Sequence, residues 1–175
     1  NNSLSAQKAA LTFRNSLTIK GGGTLDVESQ KDCAVFVNGG NLTIDNCTVN
    51  AKSKMYGISG NNGENEILAV KNATVTAEGE KGSICNFASL SLEYCNITQP
   101  AGAEFDESKK AVVLNGEKVT SEIVITRDST GINTSTIDNA AQQGIYTISG
   151  MKFNGEVEDL PKGIYIINGK KVVKK

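Results

Sequence analysis

The 175 residues carry 18 basic and 19 acidic side chains, a net charge of −1, and neither histidine nor tryptophan. Near-neutrality excludes a strong pull toward nucleic acid or an anionic membrane surface, and no apolar run approaches the roughly 20 residues that span a bilayer. With 38% hydrophobic residues, 18 glycines and only 2 prolines, the composition fits a soluble all-β protein with many tight turns, and not a disordered chain.

Arg14 and Arg127 are the only guanidinium groups, which argues against a phosphate or uronate reader built on arginine clusters. The chain opens on Asn1 with no charged-then-apolar leader, and reads as a processed form or a piece of something longer.

From the N-terminus, Ala9-Ala-Leu-Thr-Phe13 reads as a first partial coil. Four segments then superpose almost residue for residue: Leu17-Thr-Ile-Lys20, Leu42-Thr-Ile-Asp45, Leu68-Ala-Val-Lys71 and Leu90-Ser-Leu-Glu93. Their leading leucines recur at intervals of 25, 26 and 22 residues. Short strands and Gly/Asn turns repeating at that period mark a solenoid. Alternation along each strand places Ile19, Ile44, Val70 and Leu92 in one interior column, and Leu25, Val49, Val75 and Ile97 in a second. Ala34-Val-Phe36, Gly57-Ile-Ser59 and Ser83-Ile-Cys85 supply a third strand per coil, with Val35, Ile58 and Ile84 as its column. The predicted fold is therefore all-β, a short right-handed parallel β-helix of three to four coils, its hand taken from the general crossover rule.

The outward column Lys20, Asp45, Lys71, Glu93 alternates in sign, as neighbouring strands of one face favour. Asn46, Asn72 and Tyr94 take equivalent turn positions, where asparagine tolerates left-handed backbone. Cys47 and Cys95 share a rung two coils apart, as Cys33 and Cys85 roughly do. At ~4.8 Å per coil each pair lies about 9–10 Å apart, beyond bridging distance, so all four are expected as buried thiols. CxxC spacing is missing, and no metal or other cofactor is expected.

After the coils, Ala111-Val-Val-Leu114, Asn115-Gly116 and Glu117-Lys-Val119 predict a hairpin with a two-residue turn, followed by a strand Glu122-Ile-Val-Ile-Thr126. Both are expected to cap the last coil and blunt its edge. Residues 1–126 thus form the helix with its capping strands, and 127–143 a linker rich in Ser, Thr, Asn and Gln. In 144–175, Gly144-Ile-Tyr-Thr-Ile-Ser-Gly150 duplicates as Gly163-Ile-Tyr-Ile-Ile-Asn-Gly169, predicting two hairpins joined by a corner at Leu160-Pro161-Lys162.

That tail, with its Gly-x-Tyr strands and basic end Lys170-Lys-Val-Val-Lys174, resembles the type A sorting domain of type IX secretion in the Bacteroidetes. The resemblance implies export, with the tail engaging the export or anchoring machinery, and a secreted or cell-surface location. The coil region, from Leu17 to about Ile125, is similar through its Leu-Thr-Ile-x-x-Cys/Ala-Thr-Val rungs to short β-helices of secreted bacterial proteins described as carbohydrate-binding or adhesin-like. Asp128-Ser129-Thr130 resembles the short acceptor for O-glycosylation in the same phylum. The formal N-glycosylation sequons at Asn41, Asn46, Asn72 and Asn96 arise from the rung pattern.

Parallel β-helices also host polysaccharide lyases and hydrolases, and such a site needs clustered acids. The candidates are Asp26, Glu28, Asp32 and Asp45, with Lys20 or Lys52 as the base. They are scattered between strands and turns, whereas a lyase needs a calcium cage and a hydrolase paired carboxylates ~5–10 Å apart. No catalytic residue is assigned. The expected activity is non-enzymatic: binding of a glycan or of a host or matrix protein, with a polysaccharide lyase or glycoside hydrolase of the same fold as the alternative and a purely structural stalk of a larger surface protein as a second. The aromatics outside the apparent interior are Tyr56, Tyr94 and Phe87. Tyr56 sits beside Lys52 and Lys54 and before Gly60-Asn-Asn-Gly-Glu-Asn65, the longest polar insertion, and insertions in repeat folds carry binding faces. Tyr56, Lys52, Lys54, Asn61, Asn62 and Glu64 are accordingly the candidate ligand-binding residues.

Overall fold

A computed structural model describes residues 1–128, 145–147, 152–153, 155, 157, 160–167 and 170–174. Strand follows strand, and the chain divides into two compact units, Asn1–Asn133 and Thr134–Lys175. The first coil holds β1 (Asn2–Ala6), β2 (Leu11–Phe13) and β3 (Leu17–Lys20); the second β4 (Thr24–Ser29), β5 (Cys33–Val37) and β6 (Leu42–Asp45). The third holds β7 (Thr48–Ser53), β8 (Tyr56–Gly60) and β9 (Ile67–Lys71); the fourth β10 (Thr74–Gly79), β11 (Gly82–Cys85) and β12 (Ser89–Glu93). The expected partial coil at the N-terminus is a whole one. Its strand β1 gave no pattern because Asn2-Ser-Leu-Ser-Ala6 offers a single large apolar residue, Leu4, which is exposed.

Stacking makes three sheets, each with a strand from every coil, paired in parallel from coil to coil. Sheet A runs β1-β4-β7-β10, sheet B β2-β5-β8-β11 and sheet C β3-β6-β9-β12. The register follows the sequence repeat: Ile19, Ile44, Val70 and Leu92 are successive partners in sheet C, and Lys20, Asp45, Lys71 and Glu93 stack beside them. Val35, Ile58 and Ile84 do the same in sheet B, with Leu11 beneath Val35. Two middle coils have covered neighbours on both sides, so Leu42, Ile44, Leu68, Val70, Val49 and Ile58 are wholly buried, as is Val75 of the fourth coil beneath the later strand that carries Ile125. Fully burying such a side chain contributes roughly 1.5–3 kcal/mol.

The strands after the fourth coil are β13 (Cys95–Gln99), β14 (Glu104–Asp106), β15 (Ala111–Leu114), β16 (Glu117–Lys118) and β17 (Ile123–Arg127). β15 and β16 form the expected hairpin, and Asn115 (φ 52°) and Gly116 (φ 80°) give it the two positive-φ residues of a type I′ turn. β15 closes sheet B antiparallel to β11. β17 behaves differently from expectation: it inserts antiparallel between β10 and β13. Ile125 therefore stacks on Val75, and Ile97 lies one strand farther out on Ile125. The second column is Leu25, Val49, Val75, Ile125, Ile97. Ile123 and Ile125 carry the same alternation as the rungs and are fully buried, so the later strand competes successfully for the place.

The four cysteines are free and buried. Cys47 Sγ donates to Ile19 O (3.5 Å) and Cys95 Sγ to Val70 O (3.2 Å), each reaching the coil beneath. Burial, then Asp32, pushes the Cys33 thiol up to about 12, and burial raises the other three. Asn46, Asn72 and Tyr94 share left-handed backbone at the C-to-A corner (φ 51°, 44° and 56°).

In the second unit, β18 (Ile145–Thr147) pairs antiparallel with β19 (Lys152–Phe153) and with β20 (Gly163–Ile167), which pairs with β21 (Lys170–Lys174). These are the two predicted hairpins, side by side, over a small core of Ile145, Leu160 and Tyr165 with Phe153 and Ile167. The Tyr165 hydroxyl donates to Pro161 O at the corner (3.0 Å). The linker from residue 129 to 143, with Ser129 and Thr130 of the acceptor-like triplet, lies outside the described residues, as do Gly144 and the turn residues Asn168 and Gly169.

Candidate binding surface

Each coil turns three times, and the corner between sheets A and B shortens from four residues in the first coil to two in the third and fourth. It is made by residues 7–10, 30–32, 54–55 and 80–81. Small residues make it possible. Ser29 Oγ donates to Lys8 O (2.7 Å), Ser53 Oγ to Asp32 O, and Ser83 Oγ accepts from Gly79 N (3.2 Å), so hydroxyls satisfy the backbone where the ladder breaks. At Gly57 a Cβ would lie 2.5 Å from Ser83 O of β11 and 3.0 Å from Glu78 N of β10, so β8 passes both strands closely enough to require glycine.

Tyr56 opens β8 at this corner, half-buried, with Cys33 and Gly82 as its register neighbours. Lys54 is exposed in the turn before it. Lys52 points outward from β7 and pairs with Glu78 of the next coil at 2.7 Å, and the hydrogen bond and charge of that carboxylate raise its pKa. Glu28 stacks on the other side of Lys52, giving sheet A its own alternating column.

The remaining candidates, Asn61, Asn62 and Glu64, are exposed on the B-to-C corner. There Asn62 Oδ1 accepts from Glu64 N (3.0 Å) and Asn62 O from Lys110 Nζ (3.1 Å). β8 separates the two groups: five residues at ~3.3 Å each put Tyr56 and Gly60 about 13 Å apart. The structure therefore brings Lys52, Lys54 and Tyr56 together and leaves Asn61, Asn62 and Glu64 on another edge. Phe87, expected outside, is wholly buried in the core. Tyr94 is exposed.

The acids considered for catalysis are dispersed. Asp26 accepts from Asn50 Nδ2 (2.7 Å) on sheet A, Glu28 from Gln30 Nε2 (2.6 Å), and Asp32 caps Cys33 N (2.8 Å) at the corner. Asp45 lies on sheet C between Lys20 and Lys71. Among the described residues no group of three His, Cys, Asp or Glu side chains could hold a metal ion, and no helix is long and apolar enough to cross a membrane.

No family model, curated protein or solved structure matches this chain. Two surface features were not drawn from the sequence. The first is a lysine on every A-to-B turn: Lys8, Lys31, Lys54 and Lys81, all exposed. Lys118 joins them, its stem 3.0 Å from where a Gly82 Cβ would be; Asp32 and Glu80 share the same turns. Aligning the turns, rather than the strands, would have shown the pattern. The second is a notch of about 300 Å³ at the C-terminal end of the solenoid. It arises because sheets A and B gain two strands each beyond the fourth coil, while sheet C ends at β12.

Proposed function

We propose that this chain is a non-enzymatic binding module of an exported or cell-surface protein, and that its solenoid holds an acidic glycan along the A-to-B corner. The observation that carries the reading is the lysine on each of four stacked turns, with Tyr56 among them. Coils repeat every ~4.8 Å, so the stripe extends about 14 Å, the form of a linear polyanion. Tyr56 adds an amphipathic ring suited to a sugar face. The resemblance of the C-terminal sheet to a sorting domain supports export and attachment.

A glycan array probed with the whole chain tests this. Uronate-rich or sulfated glycans are expected to bind, neutral ones not, and the double substitution Lys31→Ala, Lys54→Ala to weaken binding at least tenfold. Tyr56→Ala should weaken it as well, and raised salt should do so through screening. A flat array from a folded protein removes the glycan reading.

A second reading, a structural stalk, is favoured by how the outward ladders spend their polar groups on one another. Lys71 pairs with Glu93 (3.0 Å), Lys52 with Glu78, Asn50 with Asp26, and Thr98 with Thr126 (2.7 Å). A flat array would leave this reading standing.

A further inference from the structure

We propose that the notch over β12 receives an extended, basic strand of another polypeptide, added antiparallel to the edge of sheet C. This inference is independent of the glycan reading, which concerns a different corner.

The shape argues first. At the C-terminal end sheet A continues through β17 and β13, and sheet B through β15 and β14, whereas among the described residues nothing pairs with the outer edge of β12. Two missing strands leave a step about 9–10 Å deep. Its floor is Leu90 and Leu92, its walls Ile97 on one side and Ala103 and Phe105 on the other. All five are only partly buried, while Leu68 and Val70, the partners of Leu90 and Leu92 one coil back, are wholly covered. An open strand edge between apolar walls is a template for β-addition, in which main-chain bonds give affinity and alternate side chains give specificity.

The molecule also shows what fits such an edge. Sheets A and B are each continued beyond the fourth coil by an antiparallel strand of four or five residues, β17 on β10 with Ile123 and Ile125 buried, and β15 on β11 with Ala111, Val112 and Val113 buried. Among the described residues sheet C has no such strand. A second copy offers the wrong shape, because β1, β2 and β3 form one coil level at the N-terminal end, and a level end cannot enter a step two strands deep.

Charge then selects the occupant. Glu104 lines the notch, and Glu93 ends the floor strand as the last member of the column Lys20, Asp45, Lys71, Glu93. The next position in that column takes a cation. The incoming strand therefore presents apolar residues inward and lysine or arginine outward.

The probes are two labelled heptapeptides, one alternating valine with lysine and one alternating valine with glutamate, added to the whole chain. The lysine peptide should bind at least tenfold more tightly than its acidic counterpart and slow hydrogen exchange at residues 89–93. Glu104→Lys, at an exposed position that leaves the fold alone, should remove that preference. Ala103→Arg should block the notch, with circular dichroism checking that the solenoid persists. Equal binding of both peptides, or protection that spares residues 89–93, overturns the proposal. Self-association that protects residues 89–93 without peptide also overturns it, by assigning the notch to a second copy.

Discussion

The two units solve the same problem, hiding apolar side chains with short strands, at very different scales. In the solenoid each coil covers the next, and the inner residues of the middle coils reach zero exposure across three sheets. Among the described residues of the C-terminal sheet only Ile145, Leu160 and Tyr165 are buried, none of them completely, and Val173 remains 59% exposed. Repetition explains the contrast. A coil added to a stack gains a neighbour on each face, whereas a four-stranded sheet of short hairpins has one face and little to place on it.

The largest effect expected from testing that contrast is at Ile44. It is wholly buried between Ile19 and Val70, so Ile44→Ala removes contacts to two coils at once and should cost about 2–5 kcal/mol. Ile145→Ala, in the smaller core, should cost less. Chemical denaturation gives the first figure, and hydrogen exchange in the strands of each unit gives the comparison. Equal losses at the two sites would show that stacking gives the solenoid no advantage.

A smaller loss is expected at the tight corner. Gly57→Ala sets a methyl group 2.5 Å from a backbone oxygen, which cannot yield as a side-chain tip can, and overpacking of this kind costs about 1–3 kcal/mol. Gly22→Ala is its control, because a Cβ there meets nothing within 4 Å. That variant should be unchanged or gain up to about 1 kcal/mol through the unfolded chain. If the two variants melt together, close approach of β8 to β10 and β11 is not what holds the corner.

The rungs were legible in the sequence because period-two alternation and a 22–26-residue repeat reinforce each other. Register was legible too, since Lys20, Asp45, Lys71 and Glu93 alternate only in the observed alignment. What escaped was competition between segments. Ile97 has the right spacing to follow Val75, and nothing local says that Ile125, fifty residues after Val75, takes that place instead. The notch escaped for the same reason, being the shape left when later strands extend two sheets and not the third. For the binding candidates, nearness along the chain misled. Tyr56 and Asn61 are five residues apart in a fold where one strand carries the chain from corner to corner.

The smallest expected effect concerns the turn where the repeat is least regular. Asn46 and Asn72 occupy left-handed backbone at the C-to-A corner, and Tyr94 holds the same conformation in the fourth coil. Asparagine enters that region readily, while a bulky side chain does so at a cost. Tyr94→Asn should therefore raise stability by about 0.5 kcal/mol, the conformational gain being offset in part by lost contact of a ring that is 41% exposed. The reciprocal Asn46→Tyr should lower stability by about 1–2 kcal/mol, since it imposes the strain and also removes the acceptor for Asn72 Nδ2 (3.5 Å). Opposite signs from the pair, read as shifts in denaturation midpoint, would mean that the turn conformation dictates the residue. A loss in both variants would instead mean that Tyr94 is held by its packing, and that the fourth coil ends on an aromatic for the sake of its neighbours rather than its backbone.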